Sequence, residues 1–539
     1  MASSHLPSFV ELATQLRYNA RNNPQLAAGQ LAAITAGVVL AFTVSYCLYN
    51  LYLHPLRNYP GPRLWAMTRI PYTLNFFGAK SPWKIRELHA QYGTFVRVAP
   101  DIVSVSHPDA LNQLQGHRKG KPENPKDVAM TWQFLDNIVG VPSKEDHSRL
   151  RRVMSHGFSA QSSELHFPTT SFSSKQSLIQ RYVDLLMQRL RERCNQGQTA
   201  LDMTQWFNWA TFDIVGDLAF GEPFGCLEQA SYHPWVSIIF ESMVTMSKIS
   251  MLLRFGPVGK LLAMCIIPRS MAKKMDEHNE LSAMKVEKRL ALETERPDLI
   301  GKMVSGSQKL GATWLTRTFW RRRQEMTRHE LVSNAGILII AGSETTASLL
   351  CGATYLLAKN QHILQKLQAE VRSSFNNETE IDLISTQKLK YMQAVLDESL
   401  RYFPPAVGAL PRVTVPEGDQ IAGRFVPGGT RVEVLQWALF HDPTYFHKPD
   451  EFHPERWLGD VEFKNDALAG VTPFSVGPRN CIGKNLAMSE MRLIMARIVW
   501  NFDFTLAPGM DDWYDRCQAF LLWGKPALNI LFVPRSVEA

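Results

Sequence analysis

The plainest pattern in the chain is an apolar run near its start. No charged side chain occurs between Arg21 and Arg57, and Leu31 to Leu53 is long enough for one bilayer crossing, which takes roughly 20 residues. A single transmembrane anchor over 31–53 is expected, following an N-terminal segment 1–30. A cleaved signal peptide fits less well, because the run starts late and no small-residue cleavage site precedes the proline-rich stretch 54–62. Arg17 and Arg21 lie before the span and Arg57, Arg63 and Arg69 after it, so the positive-inside count leans only weakly to a cytoplasmic body.

Beyond the stiff segment 54–62, the period changes. Residues 93–106 alternate in the manner of two short strands around Pro100-Asp101. From Lys144 to about Glu295 apolar residues recur at three- and four-residue spacing, as in Ser177 to Cys194, which predicts helices. Strand-like alternation returns in 428–436 and 526–534. The expected fold is mainly α with small β-sheets, preceded by a single N-terminal transmembrane helix, and no internal repeat divides the expected catalytic body 63–539. Ser162 to Ser174 and Ser305 to Gln324 break the pattern and are expected to be surface excursions or insertions.

Composition narrows the function. Of 539 residues, 45% are hydrophobic and 20% charged, which supplies a core and excludes general disorder. The net charge of +8 is spread along the chain without a dense basic block, so nucleic acid is not an expected partner. The seven cysteines lie far apart with no CxxC, which argues against zinc ribbons and disulfide scaffolds.

Residues 327–358 open with Thr327 and Glu330 in the arrangement of a capping box and then stay apolar on nearly every face, which predicts a buried helix. Its polar island is Ser343, Glu344, Thr345 and Thr346, directly after Ala341 and Gly342. A glycine in a buried helix marks close approach to the backbone, and the acid and hydroxyls beside it offer a proton source. On this helix alone the alternative stays open: hydroxyls bonded to carbonyls one turn earlier, and Glu344 paired for structure only. Farther on, Glu398 and Arg401 sit three apart on a helix that must stop before Pro404, and Arg456 in a proline-bounded stretch is a candidate third member of that pair.

Cys481 sits in the stretch 474–483, with two glycines, a proline and an arginine around one sulfur. The pattern Phe474-x-x-Gly477-x-Arg479-x-Cys481-x-Gly483, with Glu398-x-x-Arg401, Pro454-Glu455-Arg456 and Ala341-Gly342-x-Glu344-Thr345-Thr346, resembles the haem-thiolate monooxygenases of the cytochrome P-450 superfamily. The likeness runs from Tyr59 to the C-terminus. Its finer texture is similar to microsomal, filamentous-fungal enzymes that oxidise secondary metabolites, the isotrichodermin C-15 hydroxylase type.

The resemblance implies haem b with Cys481 as thiolate ligand of the iron, a donor that favours O–O cleavage. Gly477 and Gly483 would let the backbone bend beneath the porphyrin, and Phe474 would shield the sulfur. Arg479, Arg151, Arg412 and His147 would hold the propionates, His147 standing where the family more often has Trp. On the distal side, Ala341 and Gly342 would leave room for dioxygen, while Thr345 and Glu344 relay protons to it. Glu398, Arg401 and Arg456 would form a structural ion network. Residues 127–141 and 241–257 would supply pocket walls for an apolar small molecule, with plain core as the alternative for the methionines.

No GxGxxG follows a strand and no iron–sulfur spacing occurs, so electrons must come from a partner. The resemblance implies an NADPH-dependent cytochrome P-450 reductase, docked near Arg479, Lys484 and Arg492, and residence in the endoplasmic reticulum membrane with the catalytic body cytoplasmic. Other readings are a reductase-independent isomerase or dehydratase and a non-enzymatic haem-based ligand binder. The Glu344-Thr345 pair favours oxygen activation.

Overall fold

The computed structural model describes residues 9–118, 120–132, 135–158, 170–266, 269–291, 298–301, 303 and 326–535. The chain divides into two compact units. One comprises the chain up to Tyr72 together with Arg97–Asp101, and the other Thr73–Val96 with the chain from Ile102 onward.

In the first unit the helix Phe9–Asn22 precedes Asn23, whose side chain accepts from the Leu26 N–H and caps the helix Pro24–Leu48. The apolar span therefore starts earlier than 31. Asn23 satisfies a free N–H, Pro24 has none to satisfy at the first turn, and the helix has its start there. It continues through a wide turn, Tyr49–Leu53, to make a 30-residue apolar span whose most apolar window is wholly unburied. That is about 45 Å of helix at 1.5 Å per residue, more than one hydrocarbon core requires. In the same unit the buried Arg97 guanidinium donates to Asn50 O at 2.8 Å and to Pro100 O at 2.7 and 3.0 Å, and the Arg97 N–H donates to Pro60 O. Those bonds satisfy carbonyls of the proline-rich stretch and its neighbours.

The second unit is built on the central helix Arg328–Lys359. The expected capping box is present, with Thr327 accepting from Glu330 N–H and Glu330 accepting from Thr327 N–H. This helix packs along Met203–Phe220, every residue of which except Gln205 is buried. Asp202 caps the start of that second helix and accepts from Thr204 N–H at 3.0 Å. Gln361–Ser374, Lys390–Tyr402 and Lys484–Asn501 complete the core around the central helix.

The β elements are small, as expected. Ile102–Val105 runs parallel to Arg431–Glu433, which pairs antiparallel with Arg412–Val413. Asn529–Pro534 lies antiparallel between Ala200–Asp202 and Phe502–Leu506. Asp419–Ile421 pairs with Arg424–Val426, and Gln518–Ala519 with Trp523–Gly524. Of the two expected excursions, 305–324 lies outside the described residues. So does 162–169, whereas Thr170–Ser174 belongs to the helix Thr170–Arg193.

Candidate functional site

Cys481 stands between a tight turn, Gly477–Arg479, and the helix Lys484–Asn501. Its N–H donates to Phe474 O at 2.9 Å, which closes the loop on itself. Gly477 has φ +73°, and a Cβ there would lie 2.2 Å from Gln115 O. A side chain there would run into the end of Ala110–Gln115, on which the turn packs, so the position requires glycine. Gly483 is roomier, with Phe158 at 3.8 Å and the Cys481 sulfur at 4.0 Å from its ideal Cβ position.

Cys481 is a free cysteine and is exposed. Burial pushes its pKa up, while the Gly483 N–H, Arg151 and Lys484 pull the other way. Arg151 is fastened to Asn480, donating to its carbonyl at 2.6 Å and to Oδ1 at 2.5 Å. Lys484 Nζ lies 5.7 Å from the Phe474 ring centre.

Beside this loop the predicted basic residues meet around one carboxylate. Glu123 accepts from Arg479 Nε at 2.5 Å and from Arg412 at 3.2 Å. Arg479 also donates to Val141 O at 2.7 Å and Pro142 O at 3.0 Å, and Arg412 to Gln115 Oε1 at 3.4 Å. Lys126, bonded to Val139 O, joins the group and was not found from the sequence. Crowded cations penalise one another: burial first, then Arg479 and Arg412, push the Lys126 pKa down to about 6. Burial and the same neighbours push His147 down to about 3, so its imidazole is neutral. Arg412 is pushed down to about 10 by burial and Arg479 against Glu123.

The charge of these residues tests whether they fit a haem. The basic cluster around Glu123 carries more buried positive charge than one carboxylate balances, and two propionates answer that excess. The residues fit.

The central helix opens to solvent at one place. Ala341 is exposed, and Ile340, Gly342 and Thr345 are partly so, in a helix otherwise buried from Asn334 to Ala358. Two hydroxyls here bond to carbonyls one turn earlier. Thr345 Oγ1 donates to Ala341 O at 2.6 Å, and Ser343 Oγ to Ile339 O. Glu344 forms an ion pair with Lys525. An ideal Cβ on Gly342 would lie 2.9 Å from Val215 Cγ2, so this glycine lets Met203–Phe220 approach.

Glu398 binds Arg401 at 2.8 and 2.9 Å and Arg456 at 3.3 Å, with all three side chains fully buried. Trp457 Nε1 and the His453 N–H add donors, and Asp466 gives Arg456 a second carboxylate. Of the three residues expected at a docking face, Arg479 is removed, because its guanidinium is buried on Glu123. Lys484 is exposed, and Arg492 is half-buried on Gln393 and Ser489. The methionine-rich segment divides: Met243 lines a cavity, while Met246 packs with Ile249, Leu252 and Ala263 in a core cluster that includes Trp132.

A family model for cytochrome P-450 matches residues 60–532. The chain belongs to the cytochrome P-450 family. This P-450 is 45% identical to trichothecene C-15 hydroxylase of Fusarium sporotrichioides over 507 residues, which covers 94% of this chain and 98% of that one. It is 41% identical over 517 residues to averantin hydroxylase of Dothistroma septosporum, covering 94% and 93%. Membership makes the chain a haem monooxygenase, and relatives named as hydroxylases favour that class over the isomerase and ligand-binder readings. The apolar span Pro24–Leu53 is consistent with the membrane anchor of microsomal members.

Proposed function

We propose that this P-450 hydroxylates or epoxidises an apolar secondary metabolite, a terpenoid or polyketide, and that Cys481 would hold the iron of haem b as thiolate. The observation that carries the site assignment is the free, exposed Cys481 flanked by Arg151 and by a buried basic cluster with a single carboxylate. Haem, when bound, supplies the activation of dioxygen for insertion of one oxygen atom into the substrate. The chain's part is to bind, orient and feed protons.

Cys481, held by the Phe474 carbonyl and the Gly483 N–H, donates charge as thiolate. Arg412, Arg479, Arg151 and Lys126 would hold the propionates, with neutral His147 beside them. Ala341 leaves the helix face open. Thr345 holds a proton at Oγ1, now on the Ala341 carbonyl, and Glu344 resupplies it. Glu398, Arg401 and Arg456 fix the surrounding loops and touch no substrate.

The substrate class rests on relatives that act on a trichothecene and on averantin. Electrons come from NADPH through a separate cytochrome P-450 reductase that meets the exposed Lys484 side. The layout is an N-terminal segment 1–30, a membrane anchor, a proline-rich hinge 54–62 and a catalytic body 63–539. The anchor is in the endoplasmic reticulum membrane, with the body cytoplasmic.

The test is incubation of microsomes carrying the protein and reductase with a sesquiterpenoid and an anthraquinone panel under labelled dioxygen. The expected product gains one labelled oxygen atom in an NADPH-dependent reaction. Thr345→Ala should lower product per NADPH by about 10²-fold, the lower bound for a positioned acid. NADPH-independent rearrangement without label would overturn the proposal.

A further inference from the structure

Glu344 and Lys525 are both almost fully buried, at 3% and 2% side-chain exposure, although they lie far apart in the chain. Lys525 Nζ donates to Glu344 Oε1 and, at 2.7 Å, to Ser348 Oγ, while Ser348 Oγ donates to the same Oε1 at 3.3 Å. Every donor therefore converges on one carboxylate oxygen. Glu344 Oε2 is buried with no hydrogen-bond partner among the described residues. A buried acceptor left unmatched is costly, so it has a strong demand for an exchangeable donor.

The neighbourhood can meet that demand. Glu344 and Lys525 line a cavity of about 580 Å³ together with Thr204, Asn208, Tyr232 and Ser247. Asn208 Oδ1 is a second buried acceptor without a partner among the described residues, while its Nδ2 donates to Tyr232 Oη at 3.3 Å. A polar wall of this kind gives water the two to four partners it needs, in a volume large enough for several molecules.

We propose that Lys525 is a positioning residue of the oxygen-activating site: it holds the Glu344 carboxylate in this cavity wall with Oε2 free to take protons from bound water. The inference rests on the reading of Glu344 and Thr345 as the proton relay. Burial raises the proton affinity of Glu344, and Lys525 and Ser348 oppose that rise. Without the ammonium, the carboxyl is locked in its neutral form and no longer cycles. The other ionisable groups facing the pair do not replace it: burial keeps Tyr232 neutral and pushes the Cys351 thiol up to about 12, and Asp202 beside them is itself acidic. Arg516 lines the same cavity. Lys525 follows the strand Trp523–Gly524, whose hairpin also lends Phe520 and Leu522 to the cavity, so the relay is anchored to a segment remote in sequence.

Infrared spectra of the full-length protein in detergent, before and after deuterium exchange, test the assignment directly. Lys525→Met should add a protonated-carboxyl band that is lost again in the Glu344→Gln/Lys525→Met double variant, and Lys525→Arg should show no such band. If Lys525→Met does not fold, Lys525→Gln, which keeps a donor without the charge, should give the same band. A second readout uses NADPH and a P-450 reductase with no added substrate. Dioxygen then leaves as hydrogen peroxide after two electrons and two protons, or as water after four of each, so the water share reports proton supply.

Lys525→Met should lower the ratio of water to peroxide about tenfold, within the range one positioned proton donor provides, with Lys525→Arg close to wild type. An unchanged ratio and no new band in Lys525→Met, beside a lowered ratio in Glu344→Gln, would leave the relay standing and overturn the role of Lys525. An unchanged ratio in Glu344→Gln would overturn the relay reading itself.

Discussion

Glu490 lies on the helix that follows the Cys481 loop, 1% exposed, with its Oε1 lacking a partner among the described residues. Burial alone pushes its pKa from 4.5 up to about 8. Between those values the folded protein keeps a proton that the unfolded chain releases. Stability is therefore fully present below pH 4.5, falls as pH rises through the window, and levels off above about 8. From about pH 5 the window spans about three units, and at about 1.4 kcal/mol per unit the loss is about 4 kcal/mol. That is a large fraction of the roughly 5–15 kcal/mol typical of a folded protein.

Glu490→Gln keeps the shape and the neutral state and removes the titration. Urea unfolding of full-length wild type and variant in detergent, followed by tryptophan fluorescence from about pH 5 to about pH 9, isolates the effect, because every other carboxylate titrates alike in both. The wild type should lose about 4 kcal/mol relative to the variant across that range, most of it before pH 8. Curves that stay parallel within about 1 kcal/mol would refute the reasoning, because Glu490 would then have to be ionised and paired in the fold.

Glu398→Ala should lower stability by about 3–5 kcal/mol in urea titrations, because it leaves Arg401 and Arg456 buried with Asp466 as the remaining carboxylate on Arg456. Glu398→Gln, which retains acceptors, should cost less. Gly477→Ala should abolish haem incorporation, measured as Soret absorbance per protein, since its Cβ would fall 2.2 Å from Gln115 O at a positive φ. Haem content at the wild-type level would show that the turn can move off Ala110–Gln115.

What the sequence made legible was local. The capping box of Thr327 and Glu330, the burial of the central helix and the three-residue spacing of Glu398 and Arg401 all follow from helix period and end chemistry. Arg456 joined that pair as expected, from a proline-bounded segment. Partners set by tertiary packing were not legible. Lys525 meets Glu344 across 181 residues, and Glu123 meets Arg479 across 356, with no pattern in either neighbourhood to announce the contact.

The glycines show the same limit. The sequence marks Gly342 and Gly477 as places of close approach, but the approaching groups are Val215 and Gln115, which only the packed structure identifies. Arg479 was expected at two surfaces at once, and burial on Glu123 leaves it one. The apolar helix starts at Pro24, seven residues before the apolar run that begins at 31, because Asn23 and Pro24 cap it there.

The proposed oxygen chemistry depends on the Cys481 sulfur. The optical spectrum of the dithionite-reduced, carbon-monoxide-bound protein, recorded for wild type beside Cys481→Ala, tests it most directly. A red-shifted Soret band in wild type that is absent from the variant is the predicted result. Haem bound by wild type without that band, or the same band in both proteins, would contradict thiolate ligation by Cys481 and the oxygen chemistry that depends on it.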